Sequence, residues 1–295
     1  MARLRPRTLR SVLSDLLARV WLSLWVDPGD RAVGSAVKTL GAPRLVERLS
    51  ESGAQRRGGM LRSIALPPDS LCEDPETVAR EALARAHAAG TCVLTPSDSG
   101  WPRSLNDLGL AAPLLVFVSG SVAELNRQQM IAVVGTRRAT PEGVRAAEVI
   151  ARDQASKGRT VVTGGARGID IAAHRAAATA DGATIVVLAA HHEHPYPPEH
   201  RDDFVFSPTP HAVVCEMPPG RPVRANHFLA RNRIIASLTS MTILVEAGYR
   251  SGAVNTCRHA AHLGRTIAAV QWEDGSPGSE RVITQYAAAP IPWPG

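Results

Sequence analysis

The apolar positions of this chain change their period partway along it. From 8 to 50 they recur at helical spacing (Leu9, Val12, Leu13, Leu16, Leu17 and Val20), interrupted by turn signals at Asp27-Pro28-Gly29 and Gly41-Ala42-Pro43. Leu40, Leu45, Val46 and Leu49 suit a further short helix, so the stretch reads as a small helical module. Between 51 and 74 periodicity lapses around Gly53, Gly58, Gly59, Pro67 and Pro68, the mark of a linker. A helical pattern returns at 75 to 89 and ends at Gly90, a C-cap residue.

Beyond that helix the apolar residues come in short continuous runs. Strands are expected at 92–94, 114–118, 131–134, 160–163, 184–188, 212–215, 242–245 and 266–270, with a Pro-broken turn and helix at 98–108. Helical candidates fall at 142–156, 168–180, 226–238 and 252–263. Continuous apolar strands separated by helices indicate an α/β protein with a doubly wound, mostly parallel sheet covered on both faces. The chain divides accordingly into a helical module and linker (1–73), an α/β domain (74–287) and a tail (288–295).

In such sheets ligands bind beyond the carboxyl ends of the strands, which directs attention to the loops there. The stretch 160–173, TVVTGGARGIDIAA, is strand, glycine-rich turn and helix in succession. Glycines permit close backbone approach, and a helix N-terminus aims N–H groups and partial positive charge at an anion. Other strand ends carry Gly135-Thr136-Arg137-Arg138, the His- and Pro-rich loop 191–201, the long loop 216–233 with Arg231, Asn232 and Arg233, and 246–256 with Ser251 and Gly252. Arginine beside glycine recurs in four of these five loops, so a rim able to hold several phosphates is expected. The expected contacts are Arg137, Arg167, Arg231 and Arg233 on phosphates and the Gly135, Gly164 and Gly165 N–H groups beside them; Phe228 offers a ring on which a base could stack.

Other chemistries fit less well. A dinucleotide fingerprint needs glycine at 163, where Thr163 stands, although Glu193 lies at a tolerable spacing for a ribose. There is no G-K-[ST] P-loop and no G-x-S-x-G elbow. His191, His192, His194 and Glu193 resemble metal ligands, but neighbours in a Pro-rich loop rarely point at one ion. Asp170, Glu216 and Glu246 could form an acid–base set, against the simpler reading that they bind backbone N–H groups and orient arginines. No cofactor or metal is expected.

Composition refines this little. The net charge of +6 favours polyanionic partners, yet only Lys38 and Lys157 of the 33 basic residues are lysine, as an Arg-rich genome would also give. Cys72, Cys92, Cys215 and Cys257 form no C-x-x-C pair. The basic N-terminus (Arg3, Arg5, Arg7 and Arg10) precedes an apolar run that Asp15 and Arg19 interrupt, so an amphipathic helix fits better than a signal peptide. No apolar run reaches the about 18 residues of a membrane span. A soluble, cytoplasmic protein is expected.

The loops together resemble the DNA-processing protein A (DprA/Smf) family. The carrying motifs, in order, are Gly135-Thr136-Arg137, Gly165-Ala166-Arg167-Gly168-Ile169-Asp170, Tyr196-Pro197-Pro198-Glu199, the run 228–236 (FLARNRIIA), and Val245-Glu246-Ala247 with Ser251, Gly252 and Thr256. Asp98-Ser99-Gly100-Trp101-Pro102 resembles the family's lead-in. The resemblance implies an extended Rossmann-like domain that binds single-stranded DNA, forms a homodimer and loads RecA recombinase during transformation or recombination, without catalysis. The module at 8–50 is similar to the family's sterile-alpha-motif-like domain, and no winged-helix domain is expected in the tail. Departures are Gly164-Gly165, where the family has G-L, and Phe228-Leu229, where it has F-P. Alternatives on the same fold are a nucleoside-monophosphate phosphoribohydrolase, whose P-G-G-x-G-T-x-x-E loop is missing at 246–252, and a nucleotide-sensing module.

Overall fold

A computed structural model describes residues 13–50, 64, 66, 70, 73–205 and 211–293. The basic N-terminus, most of the linker and Cys72 lie outside the described residues.

The helical module contains α1 (Asp15–Trp25), α2 (Arg31–Leu40) and α3 (Ala42–Ser50). Ser14 and Asp30 cap α1 and α2 by accepting bonds from Leu17 N and from Ala32 and Val33 N, which satisfies donors a helix start otherwise leaves free. Helix α4 (Pro75–Ala88) follows, with Asp74 as its cap and Pro75 in its first turn. The apolar faces of α1 to α4 do not close on themselves. Trp21, Leu45 and Ala82 share one buried cluster with Phe117, Val186, Leu188 and Val213 of the sheet, so the module is packed onto a sheet face.

The strands are β1 (Cys92–Leu94), β2 (Val116–Gly120), β3 (Met130–Val134), β4 (Thr160–Thr163), β5 (Thr184–Leu188), β6 (His211–Cys215), β7 (Met241–Leu244), β8 (Thr266–Gln271) and β9 (Ala289–Pro292). They form one sheet in the order β1-β2-β6-β5-β4-β3-β7-β8-β9. From β6 through β9 every pairing is parallel; β1 and β2 join antiparallel at one edge. Between them run α5 (Pro141–Ser156), α6 (Ile169–Thr179), the short α7 (Arg201–Val205), α8 (Ala225–Leu238), α9 (Gly252–His262) and α10 (Pro277–Tyr286).

Strand alternation divides the core. Ala132, Val162, Ile185 and Val187 pack beneath α8, α9 and α10, while Ile131, Val133 and Val161 pack beneath α5 and α6. Both faces are covered, which is why these strands are continuously apolar rather than alternating. The strand order reverses at β3, whose neighbours are β4 and β7, so the crevice between the β3 and β7 ends is the topological switch point.

Two elements depart from the sequence reading. The stretch 289–292, expected as a tail, pairs in parallel with β8 as an edge strand, where Pro290 and Pro292 are tolerated because an edge needs fewer ladder donors. Helix α10 escaped notice because Pro277-Gly278 opens it and only Val282 is a buried apolar residue within it. The lead-in helix is a 3-10 segment, Arg103–Ala111.

Candidate functional site

The turn between β4 and α6 is fixed by contacts that only glycine allows. A Cβ on Gly164 would overlap the Arg231 guanidinium, and one on Gly168, at φ +76°, would overlap the Thr136 carbonyl. The β3 and β4 loops can therefore lie directly against each other. Asp170 locks them: its buried carboxylate accepts from Gly135 N at 3.3 Å and from Gly164 N at 3.0 Å. Burial raises the Asp170 pKa, opposed by the Arg231 charge and by the bonded N–H groups.

This corrects one expectation. The Gly135 and Gly164 N–H groups are spent on Asp170, and Gly165 N donates to Thr163 Oγ1 at 3.2 Å. A carboxylate in the first turn of α6 reaches these donors without leaving the chain, so the anion cradle is already filled from within.

Charge at the rim comes instead from side chains. A cleft of about 390 Å³ opens between the β3 and β7 ends, lined by Gly135, Thr136, Arg137 and Arg138 on one side and by Arg250, Ser251 and Gly252 on another. Asp170, Phe228, Arg231 and Asn232 line it as well. A second chamber of about 140 Å³ adjoins it, lined by Arg137, Arg138, Gly164, Arg167, Tyr196, Phe228 and Arg231. The half-buried Phe228 stands where the two meet, with the Arg137 guanidinium 4.9 Å from its ring centroid and the Tyr196 ring edge-on at 5.3 Å.

Arg231 is 7 % exposed, and its Nη1 donates to the Val187 carbonyl at 2.8 Å. Its Nε has no partner among the described residues. Burial pulls its pKa down to about 10, Asp170 opposing and Arg137 adding to the effect, so the side chain stays charged at neutral pH. Arg231 lines both chambers, so its charge is the most deeply placed cation of the cleft, although the unpartnered Nε is itself buried.

Arg233 does something else. Its Nη2 pairs with both Glu216 oxygens at 2.7 and 2.8 Å, Nε donates to the Ala111 carbonyl at 2.8 Å, and Nη1 donates to the Ala230 carbonyl at 2.9 Å. It lines neither chamber. Two residues advance about 200° around a helix, so Arg231 and Arg233 leave α8 on nearly opposite sides. The expected phosphate contact at Arg233 is thus a buried strut.

Arg167 is exposed and pairs with Glu199 of the Tyr-Pro-Pro-Glu loop, which raises the Arg167 pKa and lowers that of Glu199. Asn232 Nδ2 donates to the Gly252 carbonyl at 2.9 Å, holding α8 to the start of α9, which Ser251 Oγ caps by accepting from Ala253 N at 3.3 Å. Glu246 accepts from Thr140 N and Oγ1, and Glu216 orients Arg233, so the three candidate acids are held apart in positioning duties. His191 packs edge-on to Phe117 at 5.5 Å, while His192 bonds the Ala89 carbonyl at 2.9 Å. No cluster able to hold a metal ion occurs among the described residues.

The cleft also holds Arg138, Tyr196, Leu229 and Arg250, which the sequence reading did not single out as contacts. Each neighbours a residue it did name, or belongs to a motif it quoted, so loop membership was the available signal.

Comparison with known proteins places these features in company. Residues 92–291 match the model of the family described as DNA recombination-mediator protein A. A Mycobacterium tuberculosis protein named for DprA is 35% identical over 272 residues, covering 87% of this chain and 67% of its own length. The Bacillus subtilis DNA processing protein DprA is 33% identical over 191 residues, covering 65% of this chain and 60% of its own. Among solved structures, DNA processing protein A of Streptococcus pneumoniae superposes with a TM-score of 0.74 at 24% identity, covering 95% of both chains. The Helicobacter pylori protein, described for its single-stranded DNA binding mode, superposes at 0.62 with 24% identity, covering 68% of this chain and 90% of its own. At that identity both structures speak to the fold.

Proposed function

The chain belongs to the DNA recombination-mediator protein A family, and we propose that it is a non-catalytic, single-stranded DNA-binding recombination mediator whose strand runs through the paired chambers at the switch point. The observation that carries this reading is the placement of Arg137, Arg138, Arg231 and Arg250 around the half-buried Phe228. Cations neutralise phosphates, and a flanking ring accepts the face of any base, which is sequence-tolerant binding. A duplex keeps its base faces stacked inside, so a cleft that offers a ring favours a single strand.

The absence of catalysis is supported by the carboxylates. Asp170, Glu216 and Glu246 are each engaged by the protein's own donors, and the glycosidase loop is not spelled at 246–252. The mediator role implies handing the bound strand to a recombinase; RecA is the proposed recipient, with a homodimer as the acting form, during recombination or transformation. No helix among the described residues is long and apolar enough to cross a membrane; the cytoplasm is the proposed place of action.

The test is fluorescence anisotropy with a labelled oligothymidylate and with a duplex of equal length. Tighter, salt-dependent binding of the single strand that weakens in Arg231→Ala and Arg137→Ala supports the reading. Equal binding of both DNAs, or none, discards it.

A further inference from the structure

Four large hydrophobic side chains are strongly exposed among the described residues, and three of them gather at the cleft. Tyr196 (40 %) lines the smaller chamber, Leu229 (49 %) lines the larger, and Tyr249 (58 %) sits in the loop whose neighbours Gly248 and Arg250 line the larger chamber. Leaving apolar surface in water is costly, so its concentration beside a cationic cleft points to a ligand with flat apolar faces.

Tyr249 is moreover held in place. The Arg281 guanidinium, from α10, lies 4.8 Å from its ring centroid. Arg281 Nη1 donates to the Tyr249 carbonyl at 3.1 Å, and Arg281 Nε donates to Gln285 Oε1 at 2.8 Å. One face of the ring is thus backed by a cation, while its exposure leaves surface for a second flat partner. This repeats the arrangement of Arg137 on Phe228, which lines the same chamber as Gly248 and Arg250 on either side of Tyr249 in sequence. A ring already ordered loses less rotational freedom when it binds.

We infer that Tyr249, backed by Arg281, is a second base-stacking platform, so that a single strand leaving the Phe228 chamber continues across the start of α9 toward α10. The inference rests on the strand-binding reading above and extends the path beyond the residues that line the cleft. Two platforms separated by a chamber require more nucleotides than one. Tyr249 should therefore matter only to strands long enough to span both.

The experiment titrates the full chain against oligothymidylates of about 4 to 16 nucleotides, in wild type, Tyr249→Ala, Tyr249→Phe and Arg281→Ala. Tyr249→Ala should weaken binding of the longer strands by about 5- to 150-fold, the range of one lost base stack, and leave the shortest bound strand unaffected. Tyr249→Phe should bind as wild type, because the ring face is kept, and Arg281→Ala should fall between. A 2-aminopurine moved along the strand should be quenched at two separate positions, and Tyr249→Ala should abolish one of them. Wild-type affinity of Tyr249→Ala at every length, or equal losses in Tyr249→Phe and Tyr249→Ala, overturns the platform while leaving the cleft intact. Failure of wild type to bind any single strand removes the underlying reading as well.

Discussion

Gly164 and Arg231 occupy adjoining space so closely that a single methyl group cannot be placed between them. The guanidinium fills what would be the side-chain position of residue 164 while Nη1 reaches the Val187 carbonyl. Gly164→Ala should push Arg231 out of that seat. Overpacking of a filled site costs about 1–3 kcal/mol, read as a lower urea midpoint at unchanged slope. Affinity for the proposed strand should fall with it, since the displaced cation no longer faces both chambers. A variant that binds and unfolds as wild type does would show that Arg231 has room to move.

Arg137 and Arg233 separate binding from stability. Arg137 is exposed and rests on Phe228, so Arg137→Ala should leave the unfolding midpoint nearly unchanged and reduce the salt slope of strand binding by about 0.7, one single-strand phosphate. Arg233 is buried against Glu216, with side chains 5 % and 10 % exposed. Breaking a buried pair strands the remaining charge, so Arg233→Ala should cost about 3–5 kcal/mol in denaturant unfolding without altering the salt slope of whatever folded protein remains. A reversed pattern would return Arg233 to the strand path.

Most of the sheet, and the meeting of the strand-end loops around one cleft, were legible because apolar periodicity and strand-end loops are local signals. The runs around Ile131, Val162, Ile185 and Val214 were each found as strands, and the loops after them do meet at one rim. What local pattern could not carry was direction. Arg231 and Arg233 look alike in FLARNRIIA, and only the helical rotation together with a distant Glu216 separates them. Asp170 offered two readings, and the one in which it binds backbone N–H groups holds. That same fact empties the glycine turn of its expected role, because the donors cannot serve an internal carboxylate and an external phosphate together. Strand β9 was missed because Pro290 and Pro292 argue against a strand unless its place at the edge is known.

Acid should destabilise the protein through the buried His191 and the half-buried His259. Burial pushes the His191 pKa down to about 3, with His192 and His194 adding repulsion, and that of His259 down to about 4, with Arg258, Arg233 and His262 adding repulsion. Between 6.5 and those values the unfolded chain binds protons that the folded chain refuses, so stability falls as pH falls through that window. Asp170 acts with the opposite sign: its raised pKa means that protonation on acidification favours the folded state. Urea midpoints measured from pH 7 to 4 should decline, and His191→Leu should flatten the decline by removing one of these sites. An equally steep decline in that variant would assign the acid sensitivity elsewhere.

Glu199 should restrain binding. It pairs with Arg167, which lines the smaller chamber, and both side chains are exposed. A phosphate arriving there must compete with a carboxylate already on the guanidinium, and the carboxylate's own charge repels the strand. Glu199→Gln removes that competitor while keeping the side chain's length and its hydrogen-bonding capacity. Because the pair is exposed, its loss should leave the unfolding midpoint close to wild type. Strand affinity should rise rather than fall, most at low salt where the repulsion is least screened, and the gain should vanish in the Glu199→Gln, Arg167→Ala double variant if it acts through Arg167. Anisotropy titrations at two salt concentrations on the four proteins of this cycle decide the matter: weaker binding by Glu199→Gln would mean that the pair instead holds Arg167 in its binding position.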